Sequence, residues 1–119
     1  DIILNLSYSS DATLIVFEIY GGKTVVIQNR KPIKTGIRNG NAPMVSPDGE
    51  KIVFMIIEDD GYQIQSGAIS YWDSKTGKIY PIIEDPNIVA MNPVWSNNNL
   101  IYYINFLDGS IQSAGLGNQ

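Results

Sequence analysis

The stretch Pro43-Met44-Val45-Ser46-Pro47-Asp48-Gly49-Glu50-Lys51-Ile52-Val53-Phe54 decides the fold. It reads as a tight turn feeding an apolar strand that runs on through Ile57. Pro47 presets φ for the first corner of a type I turn, and Asp48 suits the next corner. Gly49 then takes the left-handed conformation that lets the following strand leave in register. Residues 52–57 are apolar without alternation, the pattern of a strand buried on both faces. Ser46, Pro47, Asp48 and Gly49 are therefore read as a structural turn.

Two echoes flank this stretch. Upstream, Ser9-Ser10-Asp11-Ala12-Thr13-Leu14-Ile15-Val16-Phe17 aligns with the residues from Ser46 to Phe54. Downstream, Asn92-Pro93-Val94-Trp95-Ser96 repeats Ala42-Pro43-Met44-Val45-Ser46; Asn97-Asn98-Asn99 then replaces Pro-Asp-Gly, and Leu100-Ile101-Tyr102-Tyr103-Ile104 supplies the strand. Asparagine tolerates the left-handed region, so the three asparagines predict a turn of the same kind. A period of about 40 to 50 residues built from short strands points to β-propeller blades, four-stranded sheets stacked face to face around an axis. The repeats fall at about residues 1–40, 41–91 and 92–119, the last lacking its outer strand.

The middle repeat resembles the Pro-Asp repeat of TolB-type propellers, whose blades open with a proline, an apolar residue and Ser-Pro-Asp-Gly before a buried strand. Tyr71-Trp72-Asp73-Ser74-Lys75-Thr76-Gly77-Lys78 resembles a hairpin found later in such blades. The flanking repeats lack the Pro-Asp-Gly core. The resemblance implies a periplasmic scaffold or the non-catalytic domain of a serine peptidase, and it speaks to fold more than to activity.

In chain order, residues 2–8 lead the first repeat, with Tyr8 standing where Val45 and Trp95 stand later. Residues 14–20 form its buried strand, Gly21-Gly22 closes a hairpin onto residues 24–28, and Asn29-Arg30-Lys31-Pro32 turns into a weak outer strand at 33–37. In the second repeat residues 58–67 make a longer connection, followed by strands at 68–73 and 78–83. The third runs through residues 100–106 and turns at Leu107-Asp108-Gly109-Ser110. No window combines helical periodicity with good helix formers over three turns. The expectation is one all-β domain of antiparallel sheets spanning residues 1–119, an open or partial propeller, with a sandwich as the alternative. Open terminal blades would expose apolar faces and strand edges. Such a chain either belongs to a larger polypeptide or meets other copies of itself, and its start at Asp1 reads as processed or excised.

Composition fits a globular domain, with 44% apolar and 17% charged residues. A net charge of −4 argues against a nucleic-acid partner. No apolar run is long enough to span a membrane. The chain has no cysteine and no histidine, which excludes disulfides, thiolate metal sites and a Ser-His-Asp triad. Ser74 and Lys75 are neighbours on a turn and do not aim at a common point. No cofactor is expected, and no catalytic or metal-ligating residue is assigned.

The surviving candidates are partner-binding residues. Glu58, Asp59, Asp60 and Tyr62 lie on the long connection of the second repeat. Glu58-Asp59-Asp60 does not alternate as a calcium loop would. Arg30, Lys31 and Lys34 belong to a basic segment, with Lys23 and Arg38, that contains no acid. One reading sets this basic repeat against an acidic surface, such as the 58–60 segment of another copy, giving head-to-tail order. Trp95 is read as core, and alternation predicts that one of Tyr71 and Trp72 faces outward. Asn5-Leu6-Ser7 matches a glycosylation acceptor, within a strand.

The sequence thus points to a non-enzymatic, extracytoplasmic protein-interaction or scaffold module of TolB-like propeller type, acting through loops and strand edges on a protein partner or other copies of itself. The alternatives are a self-assembling subunit of an extracellular polymer joined by strand addition, and an accessory propeller fragment of a serine peptidase.

Overall fold

A computed structural model describes residues 2–59, 61–62 and 64–116. They form three antiparallel sheets in chain order. The first contains β1 (Ile3–Tyr8), β2 (Leu14–Ile19), β3 (Lys23–Gln28) and β4 (Lys31–Ile33). The second contains β5 (Asn41–Val45), β6 (Lys51–Asp59), β7 (Ile64–Asp73) and β8 (Ile79–Ile83). The third contains β9 (Ala90–Asn97), β10 (Leu100–Asn105) and β11 (Ser110–Gly115). Each sheet is an up-and-down meander of sequence neighbours, the arrangement that short connections dictate. No helix forms among the described residues.

The leading turns of the first two sheets share their hydrogen bonds. In the second sheet the Gly49 N–H donates to the Ser46 carbonyl at 2.9 Å. The Ser46 hydroxyl donates to Asp48 Oδ1 at 2.6 Å and accepts the Lys51 N–H at 3.0 Å. In the first sheet the Ala12 N–H donates to the Ser9 carbonyl at 2.9 Å, while the Ser9 hydroxyl donates to Asp11 at 2.8 Å and accepts the Leu14 N–H at 3.1 Å. Gly49 has φ +75° and Ala12 has φ +59°. The first turn thus has the same geometry without the Pro-Asp-Gly sequence, because the serine and aspartate carry its hydrogen bonds.

The third turn departs from expectation. None of Asn97, Asn98 and Asn99 has positive φ. Only Asn98 and Asn99 separate its strands, and this turn is held by Asn97 Oδ1 accepting the Asn99 N–H at 2.8 Å. Asn98 turns to the neighbouring sheet and accepts the Asp48 N–H at 2.8 Å.

The middle strands show how the sheets stack. In β2, Leu14, Val16 and Glu18 are buried and the alternate residues are half-buried. In β10 the phase is reversed at equivalent positions: Ile101 and Tyr103 are buried while Tyr102 and Ile104 are exposed. In β6, Ile52, Val53 and Phe54 are all 1% exposed or less. The second sheet is therefore the filling between the other two. One core joins Leu14, Val16 and Val26 to Val45, Ile52, Phe54 and Trp72. The other joins Val53, Ile69 and Tyr71 to Trp95, Ile101 and Tyr103. Each fully buried side chain of this size contributes about 1.5–3 kcal/mol.

The same stacking corrects one sequence expectation. Tyr71 and Trp72 are both buried, because a strand with a sheet on each side has no outward face. Tyr8 is 63% exposed although its counterparts Val45 and Trp95 are buried, since no sheet lies against it. The outer strand of the first sheet is β4, not residues 33–37. Asn29 and Arg30 alone make the turn, with φ of 51° and 69°, a type I′ pair that sets Lys31 opposite Gln28. Pro32 is tolerated in β4 because it lies at a sheet edge.

Candidate functional site

The three leading strands bend at equivalent points. Asn5, Ala42 and Asn92 have φ of 53°, 49° and 54°, and each lies at a register shift against the following strand. These bulges kink β1, β5 and β9 and bring them side by side. Between them lies an open cavity of about 310 Å³, lined by Asn5-Leu6-Ser7, Ala42-Pro43-Met44 and Asn92-Pro93-Val94. No titratable side chain lines it, so it offers contact surface and no acid–base pair. The likeness of Ala42-Pro43 to Asn92-Pro93 marked these two segments as equivalent, without disclosing that they bulge. Asn5-Leu6 lacks the proline, so the first segment did not stand out even as an equivalent.

The Ala42 and Asn92 bulges are each capped from the preceding sheet. Glu18, 6% exposed, accepts the Ala42 N–H at 2.7 Å and the Asn5 carboxamide at 2.6 Å through one oxygen. At the equivalent place the Met55 sulfur accepts the Asn92 N–H at 3.2 Å. The Asn5 carboxamide, read from sequence as a glycan acceptor, is thus engaged inside the fold. Glu18→Ala is expected to destabilise the chain by about 1–3 kcal/mol through loss of this acceptor. Glu18→Met, which copies position 55, should recover most of that in urea denaturation. Equal losses for the two variants would show that the cap is not what Glu18 contributes.

The sheets are tied elsewhere too. The Trp95 indole N–H donates to the Met44 carbonyl at 2.8 Å, and Ser7 Oγ accepts the Val45 N–H at 2.9 Å. Lys75 pairs with Glu50 at 3.1 Å, so its ammonium serves a turn contact. At Asp48, burial opposes the charge, but hydrogen bonds from Ser46 and Glu50 and the charges of Lys51 and Lys75 outweigh it and hold the carboxyl below its usual range.

The partner-binding candidates divide between two ends of the sheets. Residues 58–59 and 64–67 belong to a hairpin and not to a long loop: β6 and β7 stay paired through Glu58↔Ser66 and Asp59↔Ile64. These strands have 9 and 10 residues against 6 for β2 and β3, so the hairpin projects past its Gly21-Gly22 counterpart. Glu58 is exposed and Tyr62 is 98% exposed. Asp59 ends β6, and Asp60 lies outside the described residues. Arg30 and Lys31 are exposed at the β3–β4 turn, at the other end, where the Asn29 N–H donates to the Thr13 carbonyl. Lys34 is exposed just after β4. The structure does not bring the basic and acidic sets together. Among the described residues no group of three or more acidic side chains is placed to hold a metal ion, and no helix is long and apolar enough to cross a membrane.

No family model matches the chain, and no curated protein matches it. Solved structures do. The β-propeller domain of the Trilobed protease from Pyrococcus furiosus, described as having an open velcro topology, superposes with a TM-score of 0.63 at 22% identity over 91% of this chain. TolB from Acinetobacter baumannii superposes with a TM-score of 0.53 at 17% identity over 94%. The chain has the fold of a partial β-propeller. Its sheets are blades, and the cavity lies where their leading strands β1, β5 and β9 converge. The chain spans 36% of the length of the first match and 32% of the second.

Proposed function

We propose that this propeller section is a non-enzymatic scaffold that binds a protein partner outside the cytoplasm, with the β6–β7 hairpin as its principal contact. The observation carrying this reading is the hairpin itself, which projects beyond the equivalent hairpin of the first blade and ends in an almost fully exposed tyrosine beside acidic residues. Tyrosine supplies a large, amphipathic contact at low entropic cost, and acidic residues around it steer a basic partner. Arg30, Lys31 and Lys34 form a second, basic surface suited to an acidic partner. The likeness to TolB supports the extracytoplasmic setting. The protease propeller supports a second reading, in which the blades form the accessory domain of a peptidase.

A photo-crosslinking amino acid at position 62, introduced in cells that export the chain, tests the proposal. A discrete adduct is expected, and Glu58→Lys should weaken it. The same amino acid at position 30 should give a different adduct or none. Absence of any adduct from position 62 would overturn the hairpin's role, and an adduct with a peptidase would favour the second reading.

A further inference from the structure

The two terminal blades leave opposite faces of one kind of interface uncovered, and we propose that a second copy of the chain covers them, head to tail, closing a dimeric ring. Tyr8, Ile15, Phe17, Val25 and Ile27 share the open face of the first blade through the pairings Tyr8↔Ile15, Ile15↔Ile27 and Phe17↔Val25. A sheet face meant for water would alternate with polar residues here, and this one carries an unbroken apolar row. At equivalent positions in the second blade stand Val45, Ile52 and Phe54, all buried against the first blade. In the third blade they are Trp95, Ile101 and Tyr103, buried against the second.

The open face of the third blade is the complement. Val94 is 46% exposed, Tyr102 42%, Ile104 37% and Ile111 74%, and the pairings Tyr102↔Val94 and Ile104↔Ile111 place them on one side. Tyr102 stands where Val16 and Val53 stand, and both of those are fully buried under the following blade. The contact therefore continues, with the same positions on each side, an interface the chain already forms twice. An interface joining unlike faces closes into a ring when the rotation allows it. The described residues form three sheets, so two copies of them supply six, within the four to eight blades that propellers use. One feature does not carry over: Ile104 replaces Glu18 and Met55, so the Asn5 bulge receives no side-chain cap across this contact.

The test is light scattering on the full chain, with Tyr8→Asp and Tyr102→Asp as variants. Both sites are exposed, and an unchanged circular dichroism spectrum will show that each variant folds. Wild type is expected at twice the 13.1 kDa of one chain, and each variant alone at the single-chain mass. Mixing the two should restore a dimer, because the intact third blade of one meets the intact first blade of the other. A wild-type monomer at 100 µM would overturn the proposal and leave these faces to other blades or partners. Dimers that neither variant weakens, or a folded mixture that stays monomeric, would overturn it as well.

Discussion

Gly49→Val is expected to lower the stability of the chain by about 3 kcal/mol, and Gly49→Ala by about half as much. Two effects add. A residue with a Cβ at φ +75° carries a cost of about 1–2 kcal/mol, and branching at Cβ raises it. A Cβ at position 49 would also approach the Ser9 Cβ to 2.9 Å, so the first and second blades must separate at their turns. The first blade supplies the control. Ala12 occupies the same turn position at φ +59°, so Ala12→Gly should stabilise by about 1 kcal/mol through release of the same strain. Urea denaturation measures all three, and in thermal unfolding 3 kcal/mol corresponds to about 12 °C for a chain of this size. Opposite signs at the two sites would show that they carry one backbone geometry with different side chains. A Gly49→Val variant as stable as wild type would refute the turn's role in joining the blades.

This pairing of sites also explains what the sequence disclosed. Ser9, Ser46 and the acids two residues beyond them could be aligned because their hydrogen bonds are local, and local bonds leave local spacing. The unalternated run in β6 announced a strand with a neighbour on each face. The same logic was available for β2 and β10, whose runs are nearly as apolar. Their half-exposed states depend on whether a blade stands beside them, which no periodicity within a strand records. Tyr71 and Trp72 failed for that reason: alternation separates two faces, and it cannot say that both are covered.

The candidate site was legible in part. Glu58, Asp59 and Tyr62 stood out because a polar insertion interrupts an otherwise regular repeat, yet its form was misread. The residues of β6 and β7 beyond Ile57 continue the ladder, and backbone pairing does not need apolar side chains to do so. Asn29-Arg30 was blurred into a longer turn because Arg30 at φ 69° has no sequence mark comparable to glycine. Glu18 was overlooked for the opposite reason. A lone acid in an apolar strand looks like an interruption, and its meaning lies in the N–H of Ala42, which belongs to the next blade.

The second large effect is expected at Trp72, and its value lies in comparison with Trp95. Trp72→Ala removes the largest side chain from the core between the first and second blades and should cost about 3–5 kcal/mol, a large fraction of the 5–15 kcal/mol that such domains possess. Phenylalanine separates packing from hydrogen bonding. The Trp72 indole N–H is buried without a partner among the described residues, so Trp72→Phe removes a donor whose burial already costs about 1–3 kcal/mol, offsetting much of the lost contact. The Trp95 N–H donates to the Met44 carbonyl, so Trp95→Phe loses contact and bond together. The expected order is therefore a milder effect at Trp72 than at Trp95, and the reverse order would show that the Trp72 N–H has a partner. The chain has two tryptophans, so each phenylalanine variant leaves a single fluorophore, one in each interface. Because stacked blades contact only their neighbours, separate melting is allowed in principle. The second blade contributes to both cores through the two faces of one sheet, so both reporters should change at one denaturant concentration. Two distinct midpoints would show that one interface opens while the other holds.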